Sequence, residues 1–132
     1  MIVDTSAVVA VLLGEKHAEP IFDILSTTTG LKMSAATAVE LNAVLARRLR
    51  PEDQRRVERL LDLWEIETVA FDPAQAEIAS QAYRDFGRGS GHPAALNLGD
   101  CYSYALAVAT GEPLLFVGDD FVHTDVVAAY RP

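Results

Sequence analysis

Met1-Ile-Val-Asp4-Thr-Ser6 opens this chain, and its reading decides the fold: an apolar pair closed at once by an aspartate is a short buried strand ending in a carboxylate. A second stretch of the same kind, Leu114-Leu-Phe-Val-Gly-Asp119-Asp120-Phe121, stands near the other end. In an open parallel sheet, ligands bind beyond the carboxyl ends of the strands, where both stretches put their acids. Two further acids sit in comparable settings, in Thr37-Ala-Val-Glu40-Leu41 and in Asn97-Leu-Gly-Asp100-Cys101.

Between these stretches, helices and strands alternate. Ala7 to Leu13 is an apolar helical run stopped by Gly14, and a second helix spans roughly His17 to Leu25. Leu31 to Ser34 reads as a strand, after which Ser34 can cap a helix carrying Leu41, Val44, Leu45 and Leu49. Pro51 ends that helix and opens the next, which repeats Val57, Leu60, Leu61 and Trp64 on one face. Ile66 to Val69 alternates as a strand does. Asp72 with Gln75 forms a capping box for a helix to about Phe86. The glycine-rich stretch Gly87 to Leu96 reads as a mobile flap, too short to separate domains. A last helix, Leu98 to about Thr110, stops at Gly111 and Pro113. The pattern is that of an α/β fold, with a mostly parallel central sheet flanked by helices and right-handed crossovers.

The chain has 132 residues, half of them hydrophobic, enough for one core and too few for two, so residues 1–132 read as a single domain. No run approaches the roughly 20 apolar residues of a membrane span, and no signal segment precedes the first strand. The expectation is a soluble, cytoplasmic protein. A single cysteine, Cys101, makes no internal disulfide and no CxxC zinc spacing, which fits a reducing compartment. The formal net charge of -8 argues against a generally basic surface, but local positive charge can still meet nucleic acid. Six of the 11 Lys and Arg residues fall between Arg47 and Arg59, a strip that is either a solvated helix face or a phosphate contact.

Asp4, Glu40, Asp100 and Asp119 brought together would crowd up to four negative charges, and such crowding raises carboxyl pKa values unless a cation compensates. All-oxygen ligands at a partly open site favour Mg²⁺ or Mn²⁺ over zinc, and clustered His and Cys are lacking. Such a site can activate water and stabilise in-line displacement at a phosphodiester, with no side-chain nucleophile. Each acid also has a structural reading. Glu40 can complete a capping box with Thr37, Asp100 can serve the helix that Asn97 begins, Asp4 can cap the helix near Ser6, and Asp119 can be a turn residue. His92 and His123 lack ligand spacing, and Trp64, Tyr83, Tyr102 and Tyr104 suit packing better than base stacking. A phosphohydrolase with an aspartate nucleophile is disfavoured, since it wants a second Asp where Ser6 stands.

Taken in order, four pieces make the chain resemble the PIN-domain ribonucleases, and more closely the VapC toxins of toxin-antitoxin pairs. They are Ile2-Val-Asp4-Thr-Ser6, Ala38-Val-Glu40-Leu41, Leu98-Gly-Asp100-Cys101-Tyr-Ser-Tyr-Ala105 and Pro113 to Asp125. The resemblance runs the whole length. It implies a PIN-like domain and a Mg²⁺- or Mn²⁺-dependent endoribonuclease. It also implies a homodimer, able to enter larger assemblies, inhibited by a VapB-like antitoxin that inserts a C-terminal segment near the active site. Carried over by position, Asp4, Glu40 and Asp100 match the family's metal-site acids. The fourth falls in Gly118-Asp119-Asp120-Phe121, where Asp119 is preferred for its nearness to the strand end and Asp120 is the alternative. Ser6 and Asn97 match small polar positions that orient ligands or water, or else cap their helices. Arg47, Arg48, Arg84 and Arg88 are candidates for contacts with RNA or antitoxin. The rival reading is a catalytically inactive PIN-fold module kept for binding or dimerisation.

Overall fold

The computed structural model describes residues 1–132. Its four strands, β1 (Ile2–Val3), β2 (Lys32–Ser34), β3 (Glu67–Val69) and β4 (Leu114–Leu115), form one all-parallel sheet in the order β3-β2-β1-β4. The chain winds outward from β1 through β2 to β3, then returns to place β4 on the other side of β1. The strand order reverses between β1 and β4, and a crevice opens at such a switch point.

Six helices cover the sheet: α1 (Thr5–Leu13), α2 (Ala18–Thr27), α3 (Ala35–Arg48), α4 (Pro51–Leu63), α5 (Pro73–Phe86) and α6 (Leu98–Thr110). Side chains alternate along a strand, so each two-residue strand serves both faces. Ile2 and Leu114 enter one apolar cluster with α5 and α6, while Val3 and Leu115 enter the other with α1 to α4. All four are wholly buried, which explains why these strands read as continuous apolar runs rather than alternating ones. Trp64 and Tyr104 belong to the clusters, and Tyr102 packs edge-on against Phe71 at 5.1 Å.

Helix boundaries follow local chemistry. Gly14 and Gly111 end α1 and α6 in the left-handed conformation, with φ of 62° and 66°. Ser34 caps α3 through Ala36 N at 3.3 Å, so Thr37 lies inside the helix and forms no capping box with Glu40. Asp72 caps α5 by accepting from Gln75 N at 2.8 Å, but the reciprocal half expected of Gln75 is not made. The Gln75 amide is buried and donates instead to Ala70 O at 3.0 Å. Asp72→Ala should therefore lower unfolding free energy by about 1 kcal/mol, read from a urea titration.

The glycine-rich stretch is not a free flap. Gly87 and Leu96 form a bridge, Arg88 N donates to Leu96 O at 3.0 Å and Leu96 N to Phe86 O at 2.9 Å. Ala94 and Leu96 are buried, and the His92 ring stands 4.9 Å from that of Phe86. Apolar anchors at its base outweigh the freedom of its glycines. At the far edge of the sheet, Leu114 N donates to Val127 O and Ala129 N to Leu114 O, each at 2.8 Å, so the C-terminal segment covers β4. No helix is long and apolar enough to cross a membrane.

Candidate active site

Asp4 follows β1 directly and is 4% exposed, which obliges the fold to satisfy its carboxylate. One oxygen accepts from Ser6 N at 2.9 Å and Ser6 Oγ at 2.6 Å, and the other accepts from Ser103 Oγ at 2.6 Å. Ser6 Oγ also accepts from Val117 N at 3.1 Å, tying the segment two residues past β4 to the start of α1. Ser103 stands 3.2 Å from Thr37 Oγ1; its own proton goes to Asp4, so Thr37 donates to it. A buried hydroxyl relay thus joins α3, α6 and the end of β1. Sequence reading missed Ser103 and Thr37. The available signal was spacing, since Ser103 follows Asp100, and Glu40 follows Thr37, by three residues, which puts each pair on one helix face.

Asp100 and Asn97 form a reciprocal cap on α6: Asp100 N donates to Asn97 Oδ1 at 2.9 Å and Asn97 N to Asp100 Oδ2 at 2.8 Å. Asn97 thereby holds Asp100 in place, while Asp100 Oδ1 accepts from no protein donor. Burial, together with the charges of Asp4, Asp120 and Glu40, pushes the Asp100 carboxyl up to about 7. Burial and the Asp4 charge also raise that of Glu40. The Thr5 hydroxyl faces Glu40 and holds its shift back. Yet it lies outside hydrogen-bond geometry and is buried with no partner.

Glu40 reaches this position because residue 99 is glycine. A Cβ on Gly99 would stand 1.6 Å from Glu40 Oε2, so the carboxylate rests in the space that any other side chain would fill. Gly99→Ala should displace Glu40 at small cost in stability, because the atom that moves is the end of a flexible side chain. The expected result is an activity of the acidic site about tenfold or more lower with an unchanged melting temperature.

The charges of Asp4, Glu40 and Asp120 thus all bear on Asp100, and that of Asp4 on Glu40, although the four come from separate parts of the chain. In this arrangement no three of the His, Cys, Asp and Glu side chains converge into a closed ligand set. Asp119 lines a neighbouring cavity beyond β4. The arginine candidates are exposed, and none forms an ion pair with the acids. Arg47 and Arg48 lie seven and eight residues past Glu40 on α3, about 10–12 Å along its axis. Arg84 donates to Gln81 at 2.7 Å on the outer face of α5, and Arg88 lies in the tied loop.

Residues 1–127 match the PIN domain family. Ribonuclease VapC42 of Mycobacterium tuberculosis is 60% identical over 126 residues, 96% of each chain. Ribonuclease VapC28 of the same organism is 46% identical over 129 residues, 98% of this chain and 97% of its own. Among solved structures, M. tuberculosis VapC20, described as a Sarcin-Ricin loop cleaving toxin, superposes with a TM-score of 0.73 at 17% identity. That likeness covers 99% of this chain and 98% of that one. FitAcB from Neisseria gonorrhoeae superposes at 0.71 with 21% identity, covering 96% and 94%. These two structures speak to the fold, and the sequence matches to the lineage: the chain belongs to the PIN-domain family and, within it, to the VapC ribonucleases.

Proposed function

We propose that this protein is a divalent-metal-dependent endoribonuclease and the toxin of a toxin-antitoxin pair, with Asp4, Glu40, Asp100 and Asp120 as its metal-site acids. The observation that carries the reading is that the charges of Asp4, Glu40 and Asp120 all bear on the half-buried Asp100 beside the switch point of a parallel sheet. Asp120 is preferred to Asp119 because its charge bears on Asp100, whereas Asp119 lines the adjacent cavity. The donor set fits a hard cation. It is all oxygen, burial and neighbouring carboxylate charge raise the carboxyls of Asp100 and Glu40, Asp100 Oδ1 is free of protein donors and the buried Thr5 hydroxyl lacks a partner. Mg²⁺ or Mn²⁺ held there would supply Lewis-acid charge that lowers the pKa of water and neutralises charge developing at a phosphodiester.

The chain's own residues prepare that chemistry. Ser6 and Ser103 orient Asp4, Asn97 orients Asp100, and Gly99 admits Glu40. Glu40, whose carboxyl is raised and makes no hydrogen bond to the fold, is the group best suited to take a proton from attacking water. The partner assignment draws on the fold neighbours. Those include a toxin-antitoxin complex from Klebsiella pneumoniae and VapBC2 from Rickettsia felis, and FitAB is described as bound to a DNA fragment. A VapB-like antitoxin and a homodimer are accordingly proposed here.

The test is incubation of antitoxin-free protein with total cellular RNA in Mg²⁺, Mn²⁺ or EDTA, beside Asp100→Ala, with every new 5′ end mapped. Discrete cuts that vanish in EDTA and in the variant are expected. Cuts that persist in both, or none from folded, metal-loaded protein, would overturn the reading in favour of an inactive binding module.

A further inference from the structure

We infer that the cavity beyond β4 takes one nucleotide of the RNA next to the cleaved bond, and that Asp119 reads its base while its neighbour Asp120 faces the acids. The inference rests on the nuclease reading above. Asp119 and Asp120 lie in the turn that follows β4, closed by Val122 N donating to Asp119 O at 3.2 Å, and they have different surroundings. Asp119 lines a half-enclosed cavity of about 590 Å³, within the size range of small-ligand sites, and Asp120 does not.

The lining suits a nucleotide. Val122 and Tyr130, both reachable from solvent, offer apolar surface for a base, while Lys16 and Arg131 place two cations in the wall of a chain whose net charge is -8. His17 and Tyr130 pair across it, with ring centroids 5.9 Å apart and Tyr130 Oη 3.2 Å from His17 Nδ1. His17 is held at φ 70°, a left-handed conformation unusual for a residue other than glycine, and such outliers gather at ligand sites. Single-stranded RNA is recognised by this combination of stacking rings, cations and a few polar groups aimed at base edges. Asp119, an acceptor only when ionised, selects bases that present amino or imino protons. The cavity also shares the Gly118-Asp119-Asp120-Phe121 segment with the acidic cluster, so a nucleotide in it would be adjacent to the reacting phosphodiester.

The test reads binding without cleavage. Fluorescein-labelled single-stranded RNA octamers of A, C, G or U are titrated with the full chain in EDTA and followed by anisotropy. Mn²⁺ binding is measured separately by calorimetry. The unaltered protein should distinguish the four octamers, and Asp119→Asn should change their relative affinities about tenfold. Tyr130→Ala should weaken all of them about tenfold. Both variants should keep Mn²⁺ binding, and Asp120→Asn should lose it. Loss of Mn²⁺ binding in Asp119→Asn, unchanged octamer affinities in folded variants, or no octamer binding at all would overturn the inference. So would variants that lose only their hold on an antitoxin peptide. A protein that binds octamers selectively yet cuts no RNA would sink the nuclease reading alone.

Discussion

Glu40→Gln is expected to lower RNA cleavage about a hundredfold or more, the effect of removing a catalytic acid-base group, while leaving the fold intact. Among the acids, Glu40 separates catalysis from folding most cleanly. Asp4 caps α1 and receives Ser6 and Ser103, so Asp4→Ala strands buried hydroxyls and should cost about 1–3 kcal/mol of stability besides activity. Asp100 is half of a capping box. Glu40 accepts no comparable bond, and its charge stands beside Asp4 and Asp100.

The expected sign for the metal-free protein follows from linkage. A carboxyl whose folded pKa is raised above its unfolded value favours the native state when protonated. It weakens that state as pH rises through the unfolded value and up to the folded one. Glutamine loses no proton, so in EDTA the variant should melt no lower than the parent at neutral pH, and its advantage should disappear in acid. Paired melting curves between about pH 4 and 8 check this. A variant that melts well below its parent at neutral pH would show that Glu40 supports the fold.

Leu106→Ala should produce the largest stability loss, about 2–5 kcal/mol of a total on the order of 5–15 kcal/mol. Leu106 is wholly buried on α6 and belongs to the cluster that packs Ile2, Leu114 and Phe116 against α5 and α6. Truncation removes apolar contact and leaves a cavity in a helix packed on several neighbours, with little room to collapse. The melting temperature should fall by about 10 °C. Because α6 also carries Asp100 and Ser103, cleavage at moderate temperature should decline in step with the folded fraction, whereas Glu40→Gln loses activity while folded. A loss under about 1 kcal/mol in a urea titration would refute the placing of Leu106 at the packed centre.

Much of this was legible along the chain. Every strand and helix was read within a few residues, because caps and breakers are local: Ser34, Asp72 and Asn97 at starts, Gly14 and Gly111 at ends. Asp4, Glu40 and Asp100 could be picked out as candidates because one follows a strand and the others sit in early turns of helices. Errors arose where burial overrode the local pattern. Gln75 found Ala70 rather than the cap, and the Gly87–Leu96 stretch was tied down by burial of its apolar residues.

The sequence by itself determined the periodicities, the caps and the order of the acids, since each depends on residues within a turn or two of one another. It therefore also determined the α/β class and the end of the sheet at which chemistry would gather. Only the tertiary structure decided that Ser103 and Thr37 support Asp4, that Gly99 makes room for Glu40, and that Asp119 lines a cavity while the charge of Asp120 bears on Asp100. Those relations join residues up to 99 positions apart, and such pairs acquire a distance only once the helices have packed on the sheet.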